Sequence, residues 1–335
     1  MIRNLLLPLM ASIALPAMAL PKLNEPGLHG VVNLGLMGGG MESNFIASIE
    51  NFGLDLSDNR IETLDSPDAE DFVSSMFSFD IGWTFSNNKT RVSMGNDFTD
   101  ILEFDRSLRL SLRHDFDQLG QMRVDALRPV GFETQVYRDP YLTGEKREDT
   151  NQDVSGVRVV WDGIANSPFG VHATLKERKI SDEQSGESID SLTPQERRLL
   201  EREGGLTILE LNYRYALNEQ NGLRPSISYV DKNSDGGAMA QEGYALALDH
   251  IYSSKSLEWG TKVVYTRLSG DERNPIFDET HNSDGWALSS LLIFRGDFLG
   301  KWSPNLRLSY AELDSDINFN DSAIWMFSAG VARRF

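Results

Sequence analysis

From Gly27 to the C-terminal Phe335, apolar residues recur at every second position in runs separated by Gly-, Asn- and Asp-rich segments. A period of two places successive side chains on opposite faces of an extended chain. Each run therefore predicts a strand with one greasy face. The last run, Ser322–Phe335, is the plainest. Trp325, Phe327, Ala329, Val331 and Phe335 share one parity with Arg333, and the small or polar residues share the other. The same reading marks strands at Leu28–Met37, Phe72–Phe85, Thr90–Phe98, Phe104–Phe116, Gln121–Val130 and Val154–Trp161, with seven more before the last. The count is fourteen, or twelve if the weakest, Thr90–Phe98, drops out.

The connectors alternate between long and short. Gly38–Asp71, Gly131–Asp153 and Glu177–Gly205 are long, whereas Ser86–Lys89 and Ser253–Ser256 are tight turns. Within Glu177–Gly205, Thr193 followed by Pro194 and Glu196 predicts a capped short helix. If the first strand runs outward, every second strand ends at the inner rim. Those ends carry Phe85, Phe116, Trp161, Tyr215, Tyr252, Phe294 and Phe335 on the greasy parity. The other rim carries Phe98, Tyr229, Tyr244, Tyr265, Trp286 and Tyr310. Aromatic girdles of this kind belong at membrane–water boundaries. The expected fold is thus all-β: a transmembrane, antiparallel, up-and-down β-barrel with long extracellular loops and short periplasmic turns.

The N-terminus sets the compartment. Arg3, the apolar run Leu5–Leu15 and Ala17-Met18-Ala19 form a secretory signal peptide, cleaved to leave a single barrel domain over residues 20–335. No later stretch reaches the roughly 18 apolar residues of a spanning helix. The expected location is the outer membrane of a Gram-negative bacterium. The absence of cysteine excludes disulfides and thiolate-bound metals. A closed barrel needs neither. A net charge of -18 argues against a nucleic-acid partner. The partners expected instead are outer-membrane lipids and lipopolysaccharide, the barrel-assembly machinery acting on the terminal strand, and small solutes.

Two stretches carry a resemblance. They are Gly27–Gly35 followed by Glu42-Ser43-Asn44-Phe45, and Glu133–Gly144 with its Tyr137-Arg138-Asp139-Pro140-Tyr141 centre. Both resemble an uncharacterised family of gammaproteobacterial exported proteins, domain of unknown function 2860. The resemblance runs the length of the mature chain. It implies an outer-membrane barrel and brings no activity, catalytic residue or substrate with it.

Candidate chemistry is sparse. The five histidines stand without the spacing of metal ligands, so neither a metal nor another cofactor is expected. Asp249 and His250 are adjacent and would point to opposite faces of a strand, which argues against a hydrolase. The informative feature is the inward parity of the third to sixth strands, where Arg91, Arg109, Arg113, Arg123 and Arg158 fall against only Asp97 and Asp125. Such arginines predict a basic wall lining a pore. The acidic segment Glu50–Asp71 either stays in solvent, binds cations, or folds inward to meet that wall. The expected function is a passive channel for small hydrophilic solutes, anions among them, narrowed by a loop. The alternatives are a non-conducting surface or adhesion barrel and an outer-membrane hydrolase.

Overall fold

The computed structural model describes residues 25–49, 54–55, 60–97, 107–128, 134–295 and 300–335, so the expected signal peptide lies outside the described residues. Fourteen long strands follow one another. They are β1 Gly27–Ser43, β2 Ala69–Thr84, β3 Thr90–Asp97, β4 Ser107–Asp115, β5 Gln121–Arg128, β6 Asp149–Asp162 and β7 Phe169–Ile180. The second half holds β8 Gly204–Tyr213, β9 Asn221–Ser234, β10 Gln241–Ser253, β11 Leu257–Gly270, β12 Ser283–Phe294, β13 Trp302–Ser315 and β14 Ser322–Arg334. Each pairs antiparallel with its successor, and β14 returns to β1 with Val31 opposite Arg334 and Ser43 opposite Ser322. Gly30 and Phe335 then exchange both backbone hydrogen bonds, at 3.0 and 3.1 Å, so the final residue completes the ring. The closed sheet satisfies its own backbone, which is what the hydrocarbon interior of a membrane demands.

The outer face is the greasy parity. Leu34, Leu36, Phe77, Trp83, Leu110 and Leu112 are all exposed, as are their counterparts around the ring. In water such a surface would be an aggregation hazard; against lipid it is the stable choice. At the inner rim Phe85, Phe116, Trp161, Phe294 and Phe335 are exposed, while Tyr215 and Tyr252 are half-buried. At the other rim Tyr229, Tyr244, Trp286 and Tyr310 are exposed, Tyr265 is half-buried, and Phe98 lies outside the described residues.

The structure corrects the reading of Gly38–Asp71 as one polar loop. β1 continues through Gly38-Gly39-Gly40 to Ser43, and β2 starts at Ala69. The glycines extend the strand because neighbours crowd it. A Cβ on Gly39 would lie 2.1 Å from the Trp325 carbonyl oxygen and 2.8 Å from the Phe72 ring. Beyond β1 the chain turns and forms a further strand, Ile46–Ile49, whose four residues are all buried. It pairs with Thr134–Tyr137, which in turn pairs with the start of β6. The β2–β3 ladder is short by contrast, running only from Asp80–Gly95 to Thr84–Arg91. Where the two strands part, Asn96 takes over. Its Oδ1 accepts from the Phe79 amide at 2.7 Å and its Nδ2 donates to the Phe77 carbonyl at 2.9 Å.

Candidate functional site

In the outer half of the interior one side of the wall is apolar, while Lys176, Arg178 and Lys232 stand on another, and the inner half carries charge. In the outer half Ile46, Ala47 and Ile49 pack with Met37 and Met41 of β1, Phe72 and Met76 of β2, Ala311 of β13, and Ile324 and Met326 of β14. These wall residues share the inward parity, so Ile46–Ile49 lies against the inner wall as an apolar plug. Above it the loops form a lid whose centre is aromatic. Tyr141 stacks on Phe319 with centroids 5.2 Å apart, and Phe45 meets both rings edge-on. Leu192 and Leu200 complete this cluster from the loop after β7. The expected helix is there at Pro194–Arg198, with the Thr193 hydroxyl and Glu196 closing a capping box. It belongs to the lid.

Two buried polar groups tie the lid together. Asp139 accepts from the backbone amides of Tyr141, Gly186 and Ser188 at 3.0, 3.0 and 2.7 Å. Arg202 donates to Glu183 and to the Tyr137 carbonyl, at 2.9 and 2.6 Å respectively from its Nη2. Burial also pushes the Tyr141 phenol well above its ordinary value. The two stretches that carry the family resemblance thus meet here, Asn44 and Phe45 from one and Tyr137–Tyr141 from the other.

His281 adds a pH dependence to the lid. Its side chain is buried just before β12, and burial drives its pKa down to about 4, with Lys232 acting in the same direction and Asp316 against it. An unfolded histidine titrates near 6.5. Unfolding of this loop takes up a proton between those two values, so the contribution of His281 to its stability is full above about pH 6.5 and is lost as pH falls toward 4. The shift amounts to about 3 kcal/mol at its limit. Protease cleavage of the loops should accelerate across that window, and His281→Gln should flatten the response.

Below the plug the wall carries charge. All five arginines expected there sit on the inward parity, half-buried or nearly so. The register, invisible in the sequence, aligns three of them: Arg91 faces Arg113 across β3–β4, and Arg113 faces Arg123 across β4–β5. Strands about 4.8 Å apart make this row a band of positive charge. Its counter-ions come from the wall. Asp80 of β2 accepts from Arg91 on one oxygen and Arg109 on the other, each at 2.7 Å. Arg123 pairs with the fully buried Asp125 at 3.0 Å, where Ser111 donates to the other carboxylate oxygen at 2.6 Å. Arg113 donates to Gln121, and Arg158 to the Thr174 hydroxyl at 3.0 Å. Asp80 lies on β2, outside the third to sixth strands whose parity predicts the wall, and only the register of the barrel brings it to Arg91 and Arg109. The side chain of Asp97 lies outside the described residues. Of the acidic segment, Glu62, Asp65, Asp68, Glu70 and Asp71 are exposed to solvent, and Glu62 pairs with Arg60 at 2.8 Å.

A second charged group continues the wall on the next strands, where Asp162 stands opposite Gln121. His172 of β7 sits between Asp162 at 3.2 Å and Glu210 at 3.0 Å, and Arg224 pairs with Asp249 at 3.2 Å. Sequence spacing could not reveal this histidine's neighbours, because both come from flanking strands. Among the described residues no group of three such side chains has the geometry to hold a metal. Asp249 and His250 do point apart, the histidine lying beside Asn221 and Trp259.

A family model described as protein of unknown function (DUF2860) matches residues 27–333. The chain belongs to this family. No curated protein matches it in sequence. Among solved structures, the DUF2860 barrel is similar to a Pseudomonas aeruginosa FadL homologue at 9% identity, covering 92% of this chain and 90% of that one with a TM-score of 0.43. It is similar to the CymD monoaromatic hydrocarbon channel at 7% identity, over 93% and 89% of the two chains, TM-score 0.46. It is also similar to an anion-selective porin from Comamonas acidovorans at 8% identity, over 92% and 98%, TM-score 0.38. Likenesses this distant carry no information on solute.

Proposed function

We propose that this DUF2860 protein is an outer-membrane channel for small hydrophilic anions, closed at rest by its own loops. The observation that carries the reading is the aligned row Arg91–Arg113–Arg123 on the inner wall of a closed, lipid-facing barrel. A barrel filled only for stability gains nothing from placing like charges in register, since directly opposed like charges are destabilising. A water-filled path lined by fixed charge selects the sign of what passes. An arginine keeps its charge at any physiological pH. The apolar plug supports a gate, because its strand ladders with the short segments Thr134–Tyr137 and Leu54–Asp55 rather than directly with the fourteen strands of the wall, so it can leave with the closed ring intact. The same plug favours a second reading, a barrel that never conducts and acts through its loops. Proteoliposomes separate the two. After release of the plug they should swell faster in an anionic solute than in a neutral one of equal size, whereas a barrel that never conducts leaves them intact.

A further inference from the structure

Inside the barrel, on the wall opposite the His172 group, lies a cavity of about 240 Å³. It is walled by β12, β13, β14, β1 and β2, and reaches the point where β2 and β3 part. We propose that this cavity is a binding subsite for a small organic carboxylate with an apolar body. The proposal rests on the channel reading and names the class of solute.

Three features of the lining point to that chemistry. The first is charge. Arg307 and Arg334 line the cavity together with Asp80. The nearby carboxylates are already shared. Asp80 is held by Arg91 and Arg109, and Glu258 by Arg295 and Arg334 at 2.6 and 2.9 Å. Neither presents a bare negative charge to an incoming anion. The planar guanidinium of Arg307 matches the two oxygens of a carboxylate. The second is an apolar side, formed by Val31, Leu291, Ile293 and Ala332. These are inward-facing residues in a charged half of the barrel, where water-filled wall would call for polar ones. A simple inorganic anion has no use for them.

The third is an amide. Asn305 is 2% exposed and donates through Nδ2 to Asn33 Oδ1 at 2.9 Å, while its own Oδ1 accepts nothing from the described residues. A buried acceptor left in that state is costly. A hydroxyl or amine on the solute would satisfy it. The volume has room for a single ring or a short branched chain.

The test is calorimetric titration of the full chain in detergent with benzoate, 4-hydroxybenzoate, benzyl alcohol and acetate. Benzoate should bind, 4-hydroxybenzoate more tightly, and benzyl alcohol and acetate at least tenfold more weakly. Arg307→Gln should weaken benzoate binding by tenfold or more. Leu291→Asn, which leaves every guanidinium in place, should do the same from the apolar side, and heat-modifiable gel migration reports that both variants stay folded. Benzoate binding that is absent, or unchanged in both folded variants, would overturn the proposal. Conductance is read separately. Binding without current keeps the subsite and removes the channel; current without binding keeps the channel and removes the subsite.

Discussion

Replacing Ile46 and Ile49 together by Asn should turn a barrel that passes little current into one that conducts steadily. Both side chains are buried in the plug against Met37, Met41, Phe72, Met76, Ile324 and Met326. Losing a buried aliphatic side chain costs about 2–5 kcal/mol at each site. Two amides placed in that cluster add a further penalty for unpaired polar groups. The backbone ladders of this strand are short, three pairs with Thr134–Tyr137 and two with Leu54–Asp55, so losing the apolar packing should be enough to release it. The wall is untouched, because β1 pairs with β14 and β2 through its own backbone. Expected in planar bilayers is a rise in open probability of at least tenfold, with unchanged heat-modifiable migration on gels. Ile46→Val with Ile49→Val, which keeps the plug apolar, should stay quiet. An equally quiet, folded Asn variant would mean that the plug is not the obstruction.

The second large effect concerns the basic wall. Changing Arg91 and Arg109 together to Gln removes both partners of Asp80, whose side chain is 26% exposed. Breaking a buried pair on one side costs about 3–5 kcal/mol, and partial exposure of the carboxylate reduces that figure. The variant should therefore unfold earlier in denaturant than its parent and shift the reversal potential toward cations. Adding Asp80→Asn restores neutrality at that spot, so stability should return while anion preference stays below that of the parent. Recording all three in the plug-released background supplies the current needed. A double variant with full anion preference would show that this pair does not set the selectivity.

The sequence and the structure agree where parity decides and part where register does. Alternation alone placed fourteen strands, the greasy outer face, most of the rim aromatics and the inward parity of the five arginines, because a period of two is a local property. It could not say that Arg91, Arg113 and Arg123 stand side by side, since that depends on how far each strand slides against the next. Nor could it bring Asp80 to the arginines, or Asp162 and Glu210 to His172. The plug escaped for another reason. Ile46-Ala47-Ser48-Ile49 is too short to show a period, it follows three glycines that read as a break, and an acidic stretch comes after it. Only the packed interior shows that the glycines admit Phe72 and the Trp325 backbone rather than end the strand.

The most direct test of the central claim is the reversal potential of the plug-released variant, Ile46→Asn with Ile49→Asn, across a KCl gradient at low ionic strength. A channel lined by this arginine row should settle toward the chloride potential. The preference should fade as both sides approach 1 M salt, where the Debye length falls to about 3 Å. A potassium-selective current, or a folded and inserted barrel that carries no current at all, would contradict the account.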